Sequence, residues 1–250
     1  MRRAIRLEFR KMRRLRTAPI LAVLVAAVAA LSSTSLFSGS TRDTFHDAGA
    51  APWTGLLLTY TMMSAMTSPI LVAVLASRQT DIEHSGAGWT LASTAGHTPG
   101  TLCRAKLAAL GLVLAPAVAV QSLLVLGAGA LAGIRTPLDL GPWAGYTALL
   151  FLVDTAFLAL HIWLASVVEN QLVSVGVGML GAFLAVFTLL MPGATSRIIP
   201  WGYYAVISHA RQQDADVVHT SPPYGWIAGF LLLVGVVFAQ VTRRLDRLER

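Results

Sequence analysis

The chain has 250 residues, of which only 12% are charged and 55% hydrophobic, with a mean hydropathy of +0.66. A soluble domain carries about 25% charged residues, so this composition excludes a soluble enzyme and points to a polytopic membrane protein. The formal charge of +7 raises nucleic acid as a partner, but the positions of the basic residues below argue against it, and the single Cys103 excludes an internal disulfide framework or a Cys-based zinc site.

In chain order, the first sixteen residues hold eight basic groups, Arg2, Arg3, Arg6, Arg10, Lys11, Arg13, Arg14 and Arg16. Ile5, Phe9 and Met12 fall among them at helical spacing, which predicts an interfacial amphipathic helix over 1–16 with its arginines on lipid phosphates. A disordered basic tail is the competing reading. The lead is long for the n-region of a cleaved signal peptide, although Ala27, Ala29 and Ala30 resemble a cleavage site. Six apolar stretches follow: Thr17 to Phe37, Thr54 to Ser77, Leu107 to Gly133, Pro142 to Val168, Leu172 to Pro192 and Trp226 to Thr242. Each approaches the roughly 20 residues that a bilayer span takes, and none shows the alternation of a β-barrel, so the expected fold is all-α with six transmembrane helices in one domain.

With the N-terminus in the cytoplasm, the segments on that side hold fifteen basic residues: the eight above, then Arg78, Arg104, Lys106, Arg243, Arg244, Arg247 and Arg250. Only Arg42, Arg135, Arg197 and Arg211 lie outside. This bias accounts for the high isoelectric point without nucleic acid and places both termini in the cytoplasm. A cytoplasmic loop is expected over 78–106 and an external one over 193–225, the latter suited to a lid or gate. The other cytoplasmic connection, at Glu169 and Asn170, is a tight turn.

Gly176, Gly178 and Gly181 match the spacing of a dinucleotide fingerprint but lie inside an apolar run with no preceding strand, so they read as helix packing positions, as do Gly129, Gly133, Gly225 and Gly229. No HExxH, G-x-S-x-G or Walker glycine loop occurs, so no catalytic residue is assigned, and any ATP is bound by another chain. Asp154 lies about 18 Å along the fourth span, and His161 follows on the same face two turns later, too far for a direct bond. With Gln121 they are candidates for a translocation path or proton relay, against the alternative that they hold helices together. Trp201, Tyr203 and Tyr204 are candidate external-gate residues, against an interfacial aromatic belt. His209, Asp214, Asp216 and His219 read as solvated loop residues rather than a metal site.

The stretch Asp81-Ile82-Glu83-His84 and Trp89 before Lys106, the basic lead, the six spans and Pro200-Trp201 ahead of the last span together resemble the permease subunit of type-2 ABC exporters. The nearest likeness is to the branch of lantibiotic immunity and bacitracin resistance. The resemblance implies a bacterial plasma-membrane half-unit that pairs with an identical or related permease and with two copies of an ATP-binding subunit. ATP and Mg²⁺ would sit on that subunit, with no cofactor on this chain. Arg78, Asp81, Glu83, His84 and Trp89 would couple it to the bundle, and the cargo would be an amphipathic peptide or lipophilic drug. A stand-alone proton-coupled carrier using Asp154 and His161, a membrane enzyme and an assembly protein remain as alternatives.

Overall fold

The computed structural model describes residues 2–47, 49–85, 88–213 and 216–248; Asp214 and Arg250 of the readings above lie outside them. Helix α1 (Arg2–Arg14) runs to a turn at Arg16, whose left-handed φ of 53° redirects the chain into the first span, α2 (Thr17–Ser32). A 3₁₀ turn (Thr34–Phe37) and the short α3 (Gly39–Arg42) lead to α4 (Pro52–His84), which opens with Pro52 at its first turn, where a missing N–H costs nothing. Then come α5 (Gly88–Thr94) and α6 (Pro99–Ala132), the latter capped by Thr98 and closed by Gly133 at φ 103°. Next are α7 (Leu140–Val167), with Asp139 accepting from the Gly141 N–H, and α8 (Gln171–Leu189), with Asn170 accepting from the Leu172 N–H. After α8 the chain forms α9 (Gly193–Ile198), a 3₁₀ turn (Pro200–Gly202), α10 (Tyr203–Val206) and an antiparallel hairpin of β1 (Ala210–Gln213) and β2 (Asp216–His219). Helix α11 (Tyr224–Leu248) completes the bundle.

The six helices α2, α4, α6, α7, α8 and α11 are long and apolar enough to cross a membrane, so the fold is essentially all-α, with the small hairpin as the one sheet among the described residues. With six crossings, α1, α5 and the end of α11 share one side, here called the α1 side; α9, α10 and the hairpin lie on the far side. Helices α4 and α7 form the centre, with α8 against α4, α6 and α11 against α7, and α2 bridging α4 and α6.

Glycines set the closest approaches. A Cβ on Gly178 would stand 2.6 Å from that of Ala73, so α8 lies hard against α4. One on Gly129 would meet Trp53 at 2.7 Å, and one on Gly100 would meet the Thr242 carbonyl at 2.0 Å. Gly133 instead serves as a helix stop, and Gly176, Gly225 and Gly229 face open space, so these four pack against no other helix of this chain.

Helices α4 and α6, at 33 and 34 residues, are about 50 Å long, against a hydrocarbon core of about 30 Å. Much of the expected 78–106 loop is therefore helix that continues past the bilayer on the α1 side.

Candidate functional site

The extended ends of α4 and α6 hold α1 through an alternating cluster of charges. Lys106 Nζ of α6 donates to Glu8 Oε2 at 3.0 Å, to the Gln79 carbonyl at 2.8 Å, and pairs with Glu83 Oε1 at 2.9 Å. Lys11 Nζ donates to Glu8 Oε1 at 2.7 Å and also to Glu83. Gln79 Nε2 completes the set by donating to Glu8 Oε2 at 2.7 Å. Glu8, Lys106 and Glu83 are 0%, 0% and 2% exposed, so two carboxylates and one ammonium group are held away from water, with the half-buried Lys11 supplying the second positive charge from the rim. Burial pushes the Glu8 carboxyl up, but Lys106, Gln79 and Lys11 pull it further the other way and leave it below its ordinary value. Burial likewise lowers Lys11, and its bonds to Glu8 and Glu83 more than reverse this.

The docked face of α1 is thus Ala4, Glu8 and Met12, while Ile5 and Phe9 are only partly covered. Sequence reading placed the apolar stripe on Ile5, Phe9 and Met12 and missed Glu8, Lys11, Gln79 and Lys106. The available signal was a lone glutamate in a lead otherwise full of arginine. Arg78 adds a further tie, donating from Nη2 to the Leu15 carbonyl at 3.1 Å.

Of the five coupling candidates, Glu83 therefore faces inward and Arg78 grips the turn after α1. His84 sits across a short gap from α7: its Nε2 donates to the Ala165 carbonyl at 2.7 Å, which leaves Nδ1 to accept from Trp89 Nε1 at 3.4 Å. The two rings meet edge to face, 5.7 Å apart. Trp89 thereby pins α5, no residue of which is buried, to the bundle. Asp81 is half-buried one turn above His84.

The three path candidates lie at different depths and do not meet. Gln121 donates to the Tyr60 hydroxyl at 3.1 Å, in a network with Ser122 and Thr147 towards the far side. Asp154, midway along α7, accepts from the Tyr204 hydroxyl at 2.8 Å. His161 bonds Ser174 of α8 at 3.0 Å, nearer the α1 side. All three are buried within this chain.

Tyr204 reaches Asp154 because the far-side segment dips into the bundle. Phe157 of α7 is stacked between Trp201 at 5.5 Å and Tyr204 at 5.4 Å, and Tyr203 stacks on Phe230 of α11 at 4.0 Å. Gly181 makes the room: a Cβ there would lie 2.0 Å from Trp201 Nε1. Irregular backbone at such depth is tolerated where protein covers it. These aromatics therefore form an inserted plug, and a headgroup-level belt does not describe Tyr204, which is 1% exposed. His209 is not a solvated loop residue either. It packs against Gly145, donates from Nδ1 to the Ile207 carbonyl at 3.2 Å, and its Nε2 lies 3.5 Å from the Tyr224 hydroxyl. Between α7, the plug and α11 runs an apolar cavity of about 850 Å³.

A six-span bundle with an elbow helix clamped to the stalks of two long spans, and a plug inserted from the far side, is the build of a polytopic membrane protein. The sequence model for the ABC-2 family transporter proteins matches residues 4–185, and the chain belongs to that family. Its members are multi-pass permease subunits that associate with an ATP-binding subunit, so the chain is a transport subunit rather than itself an enzyme. A comparison with curated proteins returned no match.

Proposed function

We propose that the chain is the membrane-spanning half of an ATP-driven exporter that removes an amphipathic antimicrobial peptide or a lipophilic drug from the membrane, as in lantibiotic immunity and bacitracin resistance. The observation that carries the coupling is α5, which projects with no buried residue and with Leu91 66% exposed, yet is fixed to α4 and α7 through Trp89 and His84. A short helix held on long, rigid stalks is suited to pass a partner's movement to packed helices. In this reading two copies of an ATP-binding subunit, holding ATP and Mg²⁺, dock on the α1 side, which the basic residues favour as cytoplasmic. Asp81 and Leu91 meet the partner; Arg78, Glu83, His84 and Trp89 transmit from behind. A second half-unit, identical or related, completes the pathway. Trp201, Tyr203 and Tyr204 form the external gate, and Gln121, Asp154 and His161 stiffen the wall of the path from within.

The test is to purify the tagged chain from its native membrane in mild detergent and identify stoichiometric partners by mass spectrometry. An ATP-binding subunit that accompanies the chain, and is lost with Leu91→Asp, is the expected result. A chain that comes down alone, with export that survives ATP depletion but fails when the proton gradient collapses, would replace this reading by a carrier using Asp154 and His161.

A further inference from the structure

The cavity between α7 and α11 is lined almost wholly by carbon. Phe157, Leu160 and Trp163 form one wall and Phe230, Leu233 and Val237 the other. Its lining on α11 runs from Gly225 to Val241, about 24 Å of helix, so the slot follows the membrane normal through most of the hydrocarbon. At about 850 Å³ it falls within the range of about 300–1,000 Å³ of ordinary ligand pockets. Among the described residues no other element fills it: 11% of the most apolar stretch of α11 is buried, against 33% to 61% for the other five spans.

One charged side chain lines the slot, Arg197 of α9, at its far-side end. Its guanidinium lies 5.8 Å from the centre of the Trp226 ring, and among the described residues no carboxylate stands within salt-bridge distance of it. An apolar slot open to lipid, ending in a cation without an acidic partner, matches an amphiphile with acyl chains and a negative head. A guanidinium binds phosphate oxygens by two parallel hydrogen bonds, and the indole beside it marks headgroup level.

We propose that this slot is a binding site for one anionic phospholipid of the far-side leaflet, its phosphate on Arg197 and an acyl chain between α7 and α11. The site is independent of what the transporter carries, and a cationic peptide would be repelled from its mouth.

Trp163, Trp201 and Trp226 all line the slot, which provides a direct readout. The full chain is reconstituted in nanodiscs, and quenching of its tryptophan fluorescence is compared for phosphatidylglycerol and phosphatidylcholine brominated on their acyl chains. Phosphatidylglycerol is expected to bind roughly fivefold more tightly, the share of one basic group facing an anionic lipid. Arg197→Gln abolishes that preference and Arg197→Lys retains most of it. Gly229→Phe, at a position where an added side chain meets open space, reduces quenching by both lipids without touching the charge. Excess inorganic phosphate leaves the preference in place. Equal quenching by the two lipids, indifference to both Arg197→Gln and Gly229→Phe, or displacement by inorganic phosphate alone would each overturn the proposal.

Discussion

Tyr204 and Asp154 are 50 residues apart, and the tyrosine hydroxyl donates to Asp154 Oδ1 at 2.8 Å at the middle of a membrane-spanning helix. Both side chains are within 1% of complete burial, so neither can turn to water if the other is removed. Tyr204→Phe should cost about 1–3 kcal/mol, the usual loss when a buried polar group is stranded. The double variant with Asp154→Leu should recover part of it, because both polar ends are then gone. Thermal unfolding in detergent for the two single variants and the pair measures the coupling; additive losses would mean that the bond does not anchor the plug.

Lys106 stands between Glu8 and Glu83, and its removal leaves two buried carboxylates facing each other with only Lys11 between them. Lys106→Met should therefore release α1 at a cost of about 3–5 kcal/mol, the range for stripping one partner from a buried ion pair. The basic lead gives a ready assay, since trypsin should cut at Arg13, Arg14 or Arg16 much faster in the variant than in the parent. Unchanged cleavage would show that apolar contacts through Ala4 and Met12 suffice to dock the helix.

The same cluster sets a pH window. Glu8 titrates below its ordinary 4.5 when docked, so its contribution is complete above that value and is lost as pH falls through the docked value. Lys11 titrates above its ordinary 10.5, so its contribution holds below that value and fades only as pH rises past the docked one. The elbow should stay docked across the neutral range and loosen in acid. Amide exchange over 2–14, corrected for intrinsic rates, should rise as pH falls below about 4.5 but not between about pH 6 and 9.

The spans were legible because lipid demands long apolar helices, and that demand is written in composition. Their ends were not. Hydropathy stops at Ser77, but α4 runs on to His84 because Gln79, Thr80 and Glu83 are buried there and Gln79 and Glu83 find partners on α1 and α6. The ion cluster joins residues 8, 79, 83 and 106, and no local pattern links them. Trp201 and Tyr204 left an external gate and a headgroup belt as competing readings, because an aromatic near a span end usually sits at the headgroups. What takes them inward is the space left by Gly181 and the acceptor offered by Asp154, both remote in sequence.

Two glycines of the membrane-spanning helices should therefore respond in opposite ways. Gly181→Ala puts a methyl where the Trp201 indole now lies, 2.0 Å from Nε1, and the ring is held by stacking on Phe157, so either the plug or α8 must move. Gly225→Ala meets nothing within 4 Å and lies in the first turn of α11, where alanine is the better helix former. The first should lower stability by about 1–3 kcal/mol and the second should be neutral or slightly stabilising. Comparison of their unfolding midpoints decides; equal effects would mean that the plug is not seated on Gly181.

His209 supplies a switch on the far side. Burial against Gly145 lowers its pKa from the ordinary 6.5, the Ile207 carbonyl opposes that shift, and His219, its ring 6.2 Å away, adds to it. A histidine that titrates lower in place than in the open chain favours the packed state at high pH and penalises it as pH falls below 6.5. Acidification from about pH 7.5 to about pH 5.5 should thus loosen the hairpin and the start of α11, seen as faster corrected amide exchange over 208–224. His209→Gln removes the titrating group and should flatten that response. If the pH dependence persists in His209→Gln and vanishes in His219→Gln, the exposed strand histidine, not the buried one, governs the hairpin.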